Sequence, residues 1–139
     1  MGGFGRSDET WDELVEAGRA FLIERAQLGV TTSYTELNTT LARRTNHPTF
    51  DFDRPDERAA MGHLLGLIVE HDHPQTGFML SALVRYLNAN DAGPGFYQLA
   101  QQLGLLPKGA SANAKLDFWI SQVKAAHAHY GRPAATAHP

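Results

Sequence analysis

One stretch of this chain reads as a β-strand, and that limits the fold more than any other feature. Phe78-Met-Leu-Ser-Ala-Leu-Val-Arg-Tyr86 is short, apolar and bounded by turn-forming residues. A lone strand cannot satisfy its own backbone N–H and C=O groups. A partner is expected from a small hairpin or wing through residues 87–92, beside the turn residues between Asn88 and Gly95. The other patterned segments have helical periodicity. The expected class is mainly α with a small β element.

The helices carry start and stop signals. Thr10 and Glu13 stand three apart as a capping box before a helix over residues 11–28. Trp11, Leu14, Val15, Gly18, Phe21 and Leu22 form its apolar stripe, and Gly29 stops it. Ser33 and Glu36 repeat the box before a helix over residues 34–44, with Leu37, Leu41 and Tyr34 facing inward. A third helix is expected from Pro55 to about residue 70, capped by Asp53. Its buried stripe is Ala60, Met61, Leu64, Leu65 and Ile68, with His63 at the core edge. Gly62 and Gly66 suggest close approach of another backbone, and residues 71–77 read as a loop. A short helix over residues 96–103 ends at Gly104. The last, over residues 112–130, is capped by Ser111 and turns Leu116, Trp119, Ile120 and Val123 inward. This order suits a helix-turn-helix or winged-helix core.

Composition narrows the function classes. The chain has 139 residues, enough for one domain, read as 1–130 with a flexible tail at 131–139. There is no cysteine, so disulfides, thiol nucleophiles and cysteine-ligated zinc are excluded. No apolar run approaches a membrane span and no secretion signal is visible, so a cytoplasmic protein is expected. Formal net charge is −3, with residues 1–104 acidic and 105–139 basic. No bulk basic field is present, so nucleic-acid binding has to rest on a local cluster.

Residues 29–104 carry a family likeness. Gly29-Val-Thr-Thr-Ser-Tyr-Thr-Glu-Leu37 precedes Arg58-Ala-Ala-Met-Gly-His-Leu-Leu-Gly66. Ser81-Ala-Leu-Val84 follows in the apolar segment, then Gly93-Pro-Gly-Phe-Tyr-Gln-Leu-Ala-Gln-Gln-Leu-Gly104. The series resembles the C-terminal DNA-binding domain of O6-alkylguanine DNA alkyltransferases and alkyltransferase-like proteins. By that resemblance, Tyr34 matches a tyrosine that crowds the target phosphate, and Arg58 an arginine that fills the gap left by a flipped base. The sequence departs from the pattern where Ser81-Ala82 replaces Pro-Cys, and where an insertion around Phe50-Asp51-Phe52-Asp53 interrupts the helix-turn-helix. Without cysteine, alkyl transfer is excluded.

The leading expectation is non-catalytic DNA binding through Tyr34, Arg43, Arg44, Arg54 and Arg58, with no cofactor and no metal. The bland reading of the arginines is a solvated helix end, with Arg58 paired to Glu57, Asp53 or Glu70. The alternative function is an acidic protein-interaction module. It would be homodimeric through the aromatic stripes of the first and last helices, which hold Trp11, Phe21, Phe118 and Trp119. A third is a metal-dependent nuclease using Glu57, Glu70 and Asp72. His71 and His73 lack the spacing of a closed zinc site, and Ser81 lacks a nucleophile elbow.

Overall fold

The computed structural model describes residues 3–85 and 92–131. The expected wing and tail therefore lie outside the described residues, apart from Ala92 and Gly131. The elements are α1 (Asp8–Gln27), β1 (Thr32–Ser33), α2 (Tyr34–Thr45), α3 (Pro55–Thr76), a 3-10 turn (Leu80–Leu83), β2 (Val84–Arg85), α4 (Pro94–Gln102) and α5 (Ala112–Tyr130). The class is as expected, mainly helical with a small two-stranded sheet.

Local chemistry explains the boundaries and several corrections. Helix α1 starts earlier than expected because Ser7 is the cap, its Oγ accepting from the Thr10 N–H at 3.1 Å. Asp8 and Glu9 then occupy the first turn, where the helix dipole favours acids. Glu13 does not close a box; it meets His47 Nε2 at 2.6 Å. Gly29, at φ +70, ends the helix as expected. The Ser33 cap holds, with the Glu36 N–H donating to Ser33 Oγ at 3.1 Å. The Glu36 carboxylate does not return to Ser33, which is already part of β1; it takes Thr32 and Arg25 instead.

Two expectations about α3 are corrected. Its cap is Arg54, not Asp53, whose N–H is spent on Asp51 Oδ1 at 3.0 Å. Pro55 opens the helix as expected. The helix then continues through residues 71–76, which had read as a loop. Pro74 lacks the N–H that would bond the Glu70 carbonyl, a single loss in the last turn. Asp72 holds that turn: it is fully buried and accepts from Arg19 Nε and the Tyr130 hydroxyl, both at 2.9 Å.

The expected strand over residues 78–86 shrinks to Val84–Arg85. It pairs in parallel with β1, Thr32 opposite Val84 and Ser33 opposite Arg85. Residues 78–84 are buried throughout, so their apolar run reflects burial on all sides rather than a sheet face. Their backbone is served by α5 side chains: the Met79 N–H donates to Gln122 Oε1, and Trp119 Nε1 donates to the Ala82 carbonyl, both at 2.8 Å.

The core has two parts. Leu14, Leu22, Leu37, Leu41, Leu64 and Ile68 join α1, α2 and α3. Val69, Met79, Ala82, Phe96, Ala100 and Trp119 join α3, α4 and α5. The close approach occurs at Gly18, where an added Cβ would stand 2.9 Å from Ile68 Cδ1. At Gly62 and Gly66, where it was expected, such a Cβ meets nothing within 4 Å. Trp119, Val123 and Ala126 form the inner face of α5, whereas Leu116 and Ile120 are each 38% exposed. Of the aromatic residues on the first and last helices, Trp11, Phe21 and Trp119 are core and Phe118 is half-buried. Among the described residues, no helix is long and apolar enough to cross a membrane.

Candidate functional site

The five residues expected at a nucleic-acid contact do not form one patch. Tyr34 opens α2 directly after the Ser33 cap and is half-buried, its ring edge-on to Phe52 at 6.3 Å. Arg58 lies exposed in the first turns of α3. Its Nη1 donates to the Phe52 carbonyl at 2.6 Å rather than to Glu57, Asp53 or Glu70. Phe52, inside the insertion, thus touches both residues that the family likeness singles out. Sequence spacing alone gave no sign of that link.

The insertion is tied to α2 and to the N-terminal segment. The Asn38 amide donates to the Phe50 carbonyl at 2.9 Å and accepts from the Phe50 N–H at 2.8 Å. The Arg6 guanidinium lies over the Phe50 ring at 4.1 Å and takes Glu57 through two bonds of 2.9 and 3.0 Å. That bond holds the Glu57 carboxyl below the usual carboxylate range.

The other three arginines lie elsewhere. Arg44 forms a two-point pair with Glu24 at 2.9 and 2.7 Å. Their mutual hydrogen bond lowers the Glu24 pKa and raises that of Arg44. Arg54 is closed onto Asp56 at 3.1 and 2.7 Å. Arg43 is exposed, with no ion pair among the described residues. It follows Tyr34 by nine residues, two and a half helical turns, so the two face opposite sides of α2.

Two surface depressions flank α3. A cleft of about 340 Å³ lies between α3 and α4, lined by Tyr34, Gly62, Gly66, Glu70, Ser81 and Phe96 among others. The second depression, about 790 Å³, separates α1 from α3 and carries Asp12, Glu16, Glu70, Arg19 and His71. Among the described residues, no group of three His, Asp or Glu is placed to hold a metal. Asp72 is unsuited to a nuclease site, being buried against Arg19 and Tyr130. No family model matches the chain, and neither does any curated protein or solved structure.

Proposed function

We propose that the protein binds DNA without catalysis, through a helix-turn-helix or winged-helix face formed by α2 and α3. The convergence of Tyr34 and Arg58 on Phe52 carries this reading. Only Nη1 of Arg58 is used in that contact, so the rest of its exposed guanidinium is free for a phosphate. Arg43 supplies a further cation on another side of α2. Arg44 and Arg54 must exchange Glu24 and Asp56 for phosphate, so they contribute less.

A salt titration of binding to a labelled duplex tests this. Replacing Arg43 and Arg58 together by Ala should weaken binding to every sequence, and flatten the slope of log affinity against log salt by about 0.9 for each lost contact. Absence of binding at low salt by the unaltered protein refutes the proposal. A second reading, an acidic protein-interaction module, draws support from Asp12, Glu16 and Glu70 around the α1–α3 depression. Capture of a basic peptide there, without DNA binding, would favour it.

A further inference from the structure

Residues 50–54 run from α2 towards α3 with no helix or strand of their own, so their backbone groups depend on side chains. Asn38, on α2, holds both the N–H and the carbonyl of Phe50. From α3, Glu57 Oε1 accepts from the Asp51 N–H at 3.2 Å. The next residue on α3, Arg58, closes on the Phe52 carbonyl at 2.6 Å. Where Phe52 stands relative to Arg58 and Tyr34 therefore follows from how Glu57 holds Asp51, the residue before it.

Glu57 is in turn held by Arg6. Both Nη atoms of Arg6 donate to the carboxylate, and the two side chains are only 14% and 13% exposed. The same guanidinium covers the buried Phe50 ring at 4.1 Å. Arg6 thus fixes two successive loop residues, Phe50 by its ring and Asp51 through Glu57. Arg6 is itself anchored on α1. Its N–H donates to the Gly3 carbonyl at 3.0 Å, and Nε1 of the buried Trp11 donates to that carbonyl at 2.9 Å. With a two-point bond already made to a carboxylate, Arg6 is not placed to take a phosphate.

We propose that Arg6 is a positioning residue of the DNA-binding face: it fixes Glu57 and Phe50 so that Phe52 presents Arg58 and Tyr34 together, without itself touching DNA. This rests on the duplex-binding reading. Charge alone predicts a different pattern. If Arg6 and Glu57 acted only through their fields, losing Arg6 would weaken binding to a polyanion and losing Glu57 would tighten it. Positioning requires both losses to weaken it.

The test measures affinity for a labelled duplex, and amide hydrogen exchange in the protein without DNA. Arg6→Ala and Glu57→Ala should each weaken binding roughly tenfold, and Arg6→Lys, which still pairs with Glu57, should restore most of it. In the Arg58→Ala background the further effect of Arg6→Ala should fall to about twofold or less, because the group it positions is gone. Without DNA, Arg6→Ala should speed exchange of the Phe50 and Asp51 amides roughly tenfold, while the circular dichroism spectrum is unchanged. Should Arg6→Ala fail to fold, Arg6→Gln, which keeps the stem beside Phe50, takes its place with the same expectations. Tighter binding by Glu57→Ala, an equal cost of Arg6→Ala in both backgrounds, or unchanged exchange at Phe50 and Asp51 would overturn the role of Arg6. If the unaltered protein binds duplex and Arg6→Ala binds equally well, the positioning role alone falls; if the unaltered protein does not bind, the duplex reading falls and takes this role with it.

Discussion

Arg19→Ala should be among the most damaging single changes outside the apolar core. Asp72 is completely buried, and its Oδ1 accepts from Arg19 and Tyr130 while Oδ2 has no partner. Removing Arg19 leaves a buried carboxylate with one neutral donor. Breaking such a pair from one side costs about 3–5 kcal/mol. The Arg19 side chain is 30% exposed, so water entering behind it places the cost near the lower figure, about 3 kcal/mol. A domain of this size has a total stability of about 7–20 kcal/mol, so the loss is a large share. Thermal unfolding followed by circular dichroism should show a midpoint roughly 10 °C lower. Tyr130→Phe keeps the ring against Phe78, and loses only the bond to the carboxylate, about 1.5–3 kcal/mol. Asp72→Asn supplies the control: with the charge gone, the further cost of Arg19→Ala should fall below about 1 kcal/mol. An equal cost in both backgrounds would refute this account. The phenol gives an independent check. Burial, then the bond to Asp72, raises the Tyr130 pKa above its ordinary 10.0. The folded state therefore holds this proton more tightly than the unfolded chain. Its contribution is complete below pH 10 and is lost as the pH rises from there through the folded value. Tyr130→Phe should remove that part of the alkaline loss.

Glycine substitutions on two helices should have opposite signs. Gly18→Ala drives a methyl to 2.9 Å from Ile68 Cδ1 and should destabilise by about 1 kcal/mol net, relieved by Ile68→Val, whereas Gly62→Ala enters open space and should stabilise by about 0.5–1 kcal/mol in urea unfolding. The Arg6–Glu57 pair should appear in the acid limb. The Glu57 pKa is lowered from 4.5 chiefly by the Arg6 bond, so its contribution is present above pH 4.5 and is lost as the pH falls through the folded value. Glu57→Gln should flatten the stability profile below pH 4.5.

The helices were legible wherever short-range chemistry decides them. Ser33, Pro55, Gly29, Gly104 and Ser111 act within one turn of themselves, and each does what its residue type implies. The buried stripe of α3 was legible as well, because burial on one side imposes its own period. The failures come from distant partners. The end of α3 depends on Asp72 meeting Arg19, 53 residues away, and Tyr130, 58 residues away. The apolar run over residues 78–83 looked like a strand because burial on all sides has no period. Its real conformation follows from Gln122 and Trp119, residues that bond its backbone from α5.

The candidate site was less legible for a related reason. Arginine and tyrosine draw notice in a sequence because their chemistry is overt, yet whether they are free depends on neighbours that sequence does not place. Arg44 and Arg54 are spent on Glu24 and Asp56, while Arg58 and Tyr34 are joined by a phenylalanine in the insertion. The cleft rests on quieter signals. Gly62 and Gly66 are visible in the sequence, but two glycines four apart suit a close helix contact as well as an open wall. What separates the two readings is the empty space beside them. That space belongs to the assembled chain, because it is defined only once every other residue has been placed.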